Sequence, residues 1–355
     1  MKSLYRTIIV NAPRGSGIGT FGSKFKAEFE KKAVVDFIEI NPTWKGLLSL
    51  WLKLWNRNIG IIFNLGFTSF GKSIYKNFLN FLMLKLYSII NPSQSIILHD
   101  SIDTSNLEYS GYSNSKLLPL GGYIATKMLK DYNIFVFSKI FHDVLKNKYG
   151  FTNVNYFPFP SETEMLMECY GFQKKPLLLN LGYIAPYKGL DILPEIKNKL
   201  DNIETIIVGN FYEVFLSTKE GPKYKEDLMS LMDRSGVKLV GYLEEERVIE
   251  LIKKYRTIAI LPYISGYNAS YSALFFIKLG IPIVATNLEL FSEIKNNGGG
   301  IILADRTPDN IAIAVLEILN SRDLAESLIE NDREYCSKYS IKKFCEFMIN
   351  EAKTS

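Results

Sequence analysis

At 355 residues the chain exceeds the size at which one hydrophobic core stops growing, and 47% hydrophobic with 22% charged residues is globular composition, which excludes a disordered or fibrous chain and leads us to expect two domains. A net charge of +5 is mild, and three cysteines with two histidines, none at metal-ligand spacing, argue against a structural zinc site and fit a reducing compartment. No run reaches the roughly 18 to 20 apolar residues that span a bilayer, and the N-terminus lacks a signal core, so a cytoplasmic protein is expected, soluble or peripheral at the inner membrane face.

Arg6 to Ala12 (RTIIVNA) is a short β-rich run, followed by Gly-rich RGSGIGTFG and a helical stretch through Lys32. Gly17, Gly19 and Gly22 spell G-x-G-x-x-G, and Glu39 closes the next strand, Val34 to Ile40, which on its face is a dinucleotide fingerprint and raises an NAD-dependent oxidoreductase as the rival reading. The register argues against it, because Pro13, Arg14, Gly15 and Ser16 separate the strand from Gly17. A Gly-rich turn before a helix also serves any anion or close-packed substrate, so we read a substrate-facing loop.

From Asn41 to His99 there is no Asp or Glu, while Lys45, Lys53, Arg57, Lys72, Lys76 and Lys85 lie inside. Trp44, Trp51 and Trp55, all the tryptophans of the chain, are spaced to share one helical face with Leu47, Leu48 and Leu54, flanked by Lys45, Lys53 and Arg57. Aromatic anchors plus cations describe a helix in an anionic membrane interface, on the membrane or acceptor side of the protein. Packing against its own sheet or a partner subunit is the plainer alternative. Nucleic acid is not expected, since the aromatic and basic residues form an apolar face and not a polar groove. The runs Ile59 to Phe67 and Phe78 to Ile90 are too short, or interrupted by Lys85, to span a membrane.

Ser95 to His99 and Asn133 to Phe137 are further strands. His99 ends its strand and is followed by Asp100 and Asp103, a position suited to touching a ligand, with a buried structural histidine as the alternative. His142, beside Phe141 in a helical pattern, reads as structural. FPFPSETEM, starting at Phe157, breaks the pattern as an interdomain connection.

A second series follows: strands at Leu177 to Leu181, Thr205 to Val208, Val237 to Val240, Thr257 to Leu261 and Ile281 to Ala285, with helices near Leu190 to Leu200, Lys225 to Arg234, Glu244 to Lys254 and Ser270 to Leu279. The tail from Asp332 to Ala352 reads as an amphipathic helix. Continuous apolar strand runs alternating with helices predict parallel sheets covered on both faces. The expected architecture is α/β, two Rossmann-like domains facing across a cleft: residues 1–160 with 335–355 packing back on them, and residues 161–334.

Three segments of the second half carry chemistry. In LNLGYIAPYKGLDIL, Gly182 precedes Lys188 and Gly189, where a Lys at the sheet mouth can neutralise phosphate. In VKLVGYLEEERVIEL, a strand ends at Gly241 and the backbone from Leu239 to Tyr242 offers edges to a flat base. In LPYISGYNASYSALFFIKLGIPIVATNLELFSE, Ser270 and Ser272 suit a helix N-terminus whose free N–H groups suit a diphosphate.

Together, in this order, these segments resemble the GT-B glycosyltransferases, most closely the retaining family-four proteins (glycosyl transferases group 1). The matching residues are Gly182, Lys188 and Gly189; Gly241; then Pro262, Gly280, Pro282, Ala285, Thr286 and Glu293. The N-terminal half fits more loosely through GIGTF, ILHD and FSKIFHDVL. The resemblance implies transfer of a sugar from a nucleotide-diphosphate sugar (UDP or GDP) to a hydroxyl acceptor, glycan or lipid-linked, with retention and without metal or other cofactor. It implies that Lys188 contacts the donor diphosphate, that Ser270, Tyr271 and Ser272 wrap its phosphates, that His99 is the catalytic residue near the reacting sugar, and that Gly17 and Gly19 let their loop approach the donor or acceptor. The family's Arg after the loop glycine is Tyr183 here, and its paired glutamates fall on Tyr267 and Phe275. That departure keeps a non-catalytic sugar-nucleotide-binding protein of the same fold as a further alternative. Oligomeric state, base and sugar are left open.

Overall fold

A computed structural model describes residues 6–13, 17–55, 60–67, 69–71, 73–91, 94–100, 118–162, 170–200, 203–266 and 270–354. The chain divides into two units, Met1–Pro160 with Ile341–Ser355, and Ser161–Ser340.

Unit 1 runs β1 (Arg6–Asn11), α1 (Gly17–Phe29), β2 (Val34–Glu39), α2 (Trp44–Trp55), β3 (Gly60–Leu65), α3 (Ile74–Ile90), β4 (Ser95–Leu98), α4 (Leu118–Lys127), β5 (Asn133–Val136), α5 (Lys139–Asn147) and β6 (Val154–Tyr156). The six strands are parallel in the order β2-β1-β3-β4-β5-β6. Ile8, Val10, Phe63, Leu65, Ile96 and Ile134 are all buried, the property that continuous apolar strand runs encode. The run from residue 59 to 67, too short to span a membrane, contains β3, which lies next to β1 in the middle of the sheet and which strand reading of the sequence missed. Ser73 and Ser138 cap α3 and α5 with their hydroxyls.

Unit 2 runs β7 (Pro176–Leu181), α6 (Leu193–Lys199), β8 (Glu204–Val208), α7 (Glu213–Leu216), α8 (Gly221–Ser235), β9 (Lys238–Gly241), α9 (Glu245–Lys254), β10 (Arg256–Leu261), α10 (Tyr271–Ile277), β11 (Ile283–Thr286), α11 (Glu289–Asn296), β12 (Ile301–Ala304), α12 (Pro308–Asn320) and α13 (Arg322–Lys338). Its sheet is also all parallel, in the order β12-β11-β10-β7-β8-β9. Strand β6, only three residues long, shows no pattern in the sequence, and β12 (IILA), directly after three glycines, is a further strand that the sequence reading does not include.

The amphipathic tail is two helices, not one. α13 ends at Lys338, and α14 (Ile341–Thr354) begins after Tyr339 and Ser340 and belongs to unit 1. There Phe344 packs its ring 5.8 Å from Phe25, 6.1 Å from Phe135 and 5.0 Å from Phe137. Each fully buried phenylalanine contributes about 1.5–3 kcal/mol. Among the described residues no helix is long and apolar enough to cross a membrane.

Both sheets share one topological feature. The chain leaves the central strand, builds one side, then returns to build the other, so β1/β3 and β10/β7 are switch points where the following loops diverge and a crevice opens. Gly182, Lys188, Gly189, Ser270 and Ser272 of unit 2, and His99 of unit 1, gather at these points.

Candidate functional site

At the switch point of unit 2 the loop after β7 meets the loop after β10. Residues 186–188 make one turn of 3₁₀ helix, closed by Gly189 at φ 63°. A side chain at Gly189 would strike the Pro262 carbonyl, so the glycine is required for the two loops to touch. Arg306, just beyond β12, locks the contact by donating to the carbonyls of Pro262 (3.2 Å) and Gly189 (3.3 Å) and pairing with Asp191 (2.6 Å). The backbone N–H of Ile264 adds a bond to the Tyr187 carbonyl at 2.8 Å.

This clamp buries Lys188 and aims it at the second loop. Its ammonium donates to the Tyr263 hydroxyl and lies 3.8 Å from the centroid of that ring and 5.2 Å from that of Tyr187. Burial opposes its charge, but the phenol oxygens of Tyr187 and Tyr263 outweigh burial and hold its pKa above the ordinary lysine value. The converse holds at Tyr263: burial pushes the phenol up, and the Lys188 ammonium with the Ser270 and Ser272 hydroxyls brings it below its ordinary value. Tyr263 also meets Ser270 Oγ at 3.1 Å, and Ser270 Oγ accepts from the N–H of Ala273 (3.2 Å) as the cap of α10. Ser272 Oγ donates to the Leu181 carbonyl at 2.7 Å, and Gly182 (φ 121°) leaves room for that hydroxyl.

Gly182, Lys188, Gly189, Ser270 and Ser272 therefore meet in one cluster. Tyr271 does not join it: its hydroxyl is turned to Glu162, which pairs at 2.9 Å with the buried Lys278. Gly241 (φ 78°) lies at the adjacent strand ends, but its carbonyl accepts from Gly209 N–H (2.8 Å) and the N–H of Tyr242 is held by Asn210 Oδ1 (3.1 Å), so these two backbone edges are already engaged. Glu293 is half-buried on α11, the helix whose Phe291 packs edge-on to Tyr263 at 5.1 Å. Phe275 is buried beside Phe276 and under the Lys278 ammonium, and Tyr267 lies outside the described residues. Tyr183 is exposed, with its ring 5.5 Å from that of Tyr212.

The unit 1 switch point holds an amide chain. Asn11 and Asn64 sit opposite each other at the ends of β1 and β3, both fully buried. Asn64 Nδ2 donates to Asn11 Oδ1 (2.7 Å) and to the Ile18 carbonyl (2.9 Å), and Asn11 Nδ2 donates to the Gly19 carbonyl (3.0 Å). The Gly-rich sequence is thus already helical from Gly17. Gly22 is glycine because a Cβ there would collide with the Asn11 amide, whereas Gly17 faces open space. His99 Nε2 stands 2.7 Å from Asn64 Oδ1, and since the Asn64 amide nitrogen is used elsewhere, the histidine donates there. Its ring lies against Phe21, Phe137 and Phe159, and burial lowers its pKa to about 3, so it is neutral. Next to it, burial raises Asp100 to about 6, partly offset by the N–H of Phe67 donating to its carboxylate.

The tryptophans divide. Trp51 is 6% exposed and donates to Asn80 Oδ1 at 2.6 Å, whereas Trp44 and Trp55 are exposed. The single face expected for all three, with Leu47 and Leu54, is therefore corrected: Trp51, Leu47 and Leu54 point into the core. Lys53 is exposed, and Arg57 lies outside the described residues. His142 is buried on α5, with Nδ1 2.8 Å from Asp143.

Sequence reading missed Asn11, Asn64, Tyr263, Arg306 and Lys278. The asparagines did carry a signal, a polar residue closing an otherwise apolar strand run. Arg306 and Lys278 carried none, because their partners are distant in sequence.

Two parallel α/β units, with a lysine, the capping Ser270 and Ser272 gathered at the switch point of the second, define the GT-B class of fold. Residues 166–335 match the family model described as Glycosyl transferases group 1, and the chain resembles the GT-B glycosyltransferases of that group. It is 22% identical over 260 residues to an uncharacterized glycosyltransferase of Methanocaldococcus jannaschii, covering 72% of this chain and 64% of that one. It is 25% identical over 192 residues to the GDP-mannose-dependent alpha-(1-6)-phosphatidylinositol monomannoside mannosyltransferase of Mycobacterium tuberculosis, covering 50% of this chain and 47% of that one. The matches thus span less than two thirds of these relatives. Anabaena HepE, solved in complex with UDP-glucose, superposes with a TM-score of 0.72 at 11% identity over 99% of this chain and 100% of its own, a likeness of fold.

Proposed function

We propose that the chain is a glycosyltransferase that moves a sugar from a nucleoside-diphosphate sugar to a hydroxyl acceptor. The observation that carries this is the Lys188–Tyr263–Ser270 cluster: a buried ammonium beside a helix-capping serine, at the sheet edge where α/β folds receive ligands. In this reading the β-phosphate of the donor takes the place that the Tyr263 hydroxyl now holds at Lys188. The ammonium, with the N–H groups that open α10, stabilises the charge that develops as the sugar–phosphate bond breaks, so no metal is required for that step. UDP- and GDP-sugars are the donors to try, since HepE was solved with UDP-glucose and the mycobacterial relative is named as GDP-mannose-dependent.

Unit 1 supplies the acceptor side. His99, neutral and fixed as the Nε2–H tautomer, is a hydrogen-bonding group and not a cation, which suits contact with sugar hydroxyls. A glycan or lipid-linked acceptor, retention of configuration, and work as a peripheral protein at the inner face of a membrane complete the reading. The Asn11–Asn64 pair filling the unit 1 crevice disfavours a dinucleotide there.

The test is release of UDP or GDP from a panel of nucleotide sugars, with and without hydroxyl acceptors. Acceptor-dependent release that falls in Lys188→Ala supports transfer. Nucleotide binding without any release would make the chain a binding protein instead.

A further inference from the structure

We propose that α2 and α3 together form a docking surface for an anionic lipid bilayer. This deepens the peripheral reading above by naming the surface and its partner, and it does not depend on the transfer chemistry.

Each helix carries more apolar faces than its core needs. On α2, Leu47, Leu50, Trp51 and Leu54 are buried, while Trp44, Leu48, Leu52 (67% exposed) and Trp55 form a second apolar stripe facing solvent. Lys45, Ser49 and Lys53 lie exposed along the far side of that stripe. On α3, Phe81, Leu84 and Tyr87 point inward, and the opposite face exposes Tyr75 (84%), Leu79, Leu82, Leu86 and Ile89 (66%) at helical spacing along the whole helix, a length of about 25 Å. The two helices are joined by the Trp51–Asn80 bond, and Lys76 lies 5.3 Å from the Trp44 ring centroid while donating to the Pro42 carbonyl at 3.1 Å. Water-soluble monomers rarely leave an apolar surface of this extent uncovered.

Charge decides what covers it. Residues 41–99 contain no carboxylate, and Lys45, Lys53 and Lys76 border the exposed stripes. A second copy of the chain would set the same cations against each other, and Asp131, the carboxylate beside α3, is already paired with Lys85. An anionic headgroup layer pairs them all, while Trp44, Trp55 and Tyr75 supply the amphipathic rings that settle at the headgroup level.

The test is flotation of the full chain with vesicles of phosphatidylcholine, alone or mixed with phosphatidylglycerol, followed by tryptophan fluorescence. Binding to the anionic vesicles with a blue shift is expected, weakened by salt. The pair Leu52→Glu and Ile89→Glu should weaken it about tenfold or more without lowering the melting temperature, since both side chains already face water. Lys45→Glu with Lys53→Glu should abolish the preference for anionic lipid. Failure of the wild-type chain to bind anionic vesicles overturns the proposal. So does unchanged binding by the Leu52/Ile89 pair, or a wild-type dimer that this pair dissociates while vesicles go unbound.

Discussion

Lys188 is buried because Gly189 lets its turn press on Pro262 and because Arg306 holds both carbonyls. Once there, its charge has phenols beside it and no carboxylate among its described bonding partners, which leaves an incoming phosphate as the strongest available counter-charge. Lys188→Ala is expected to weaken binding of the nucleoside diphosphate about tenfold, ~1.4 kcal/mol by calorimetry, with folding intact. Gly22 is the second decisive residue. A methyl group there meets the Asn11 amide, so Gly22→Ala should cost about 2 kcal/mol in chemical denaturation. His99 and Asp100 give opposite pH dependences. The depressed pKa of His99 means its contribution to stability is present above about pH 6.5 and is lost as pH falls toward 3. The raised pKa of Asp100 means folding is favoured while it is protonated, an advantage lost as pH rises from about 4 through 6. Asp100→Asn should therefore gain melting temperature over wild type across that rise and hold the gain above it, while leaving the acid loss due to His99 in place. A pH-independent difference between the two proteins would contradict this.

α10 is fixed at both ends, and the two ends have different functions. Its start offers Ser270 and Ser272 to the Lys188 cluster. Just past its end, the buried Lys278 bridges Glu162 at 2.9 Å and Glu245 at 2.5 Å, and Glu162 in turn accepts from Tyr271. The helix is thus anchored through charge to the segment that opens unit 2 and to α9. Lys278→Met takes the shared cation from Glu162 and Glu245, which keep 18% and 38% of their side chains in water, and should cost about 1–2 kcal/mol in urea denaturation. Restoring neutrality with Glu162→Gln and Glu245→Gln should recover part of that loss. α2 shows how far periodicity reaches. Spacing alone placed the three tryptophans on one stripe, but a helix lying over a sheet and beside α3 needs a buried arc wider than one stripe. Trp51 fell inside it because its N–H finds Asn80, a partner 29 residues away.

At the scale of the molecule, the alternation of apolar strand runs with helices made the two parallel sheets legible, since a strand buried on both faces must be apolar throughout. What stayed hidden depended on distance or brevity. β3 reads in the sequence only as an apolar run, although Asn64 near its end marks it as a strand that stops at a polar crevice. β6, at three residues, is too short to show a pattern. The split of the tail into α13 and α14 turns on Tyr339 and Ser340, neither of which is a helix breaker in sequence; Ser340 instead pairs with Ser161 as an isolated bridge. Of the candidate site, Lys188, Gly189 and Ser270 were readable because glycine, lysine and capping serine have local meaning. Tyr263 and Arg306 were not, because only the switch point brings their partners to them. The most direct measurement is a crystal structure of the full chain soaked with UDP or GDP. The expected result is a diphosphate within hydrogen-bonding distance of Lys188 Nζ and Ser270 at the β7/β10 switch point. A nucleotide seated instead on the start of α1, beside Gly17, with the Lys188–Tyr263 contact undisturbed, would contradict it.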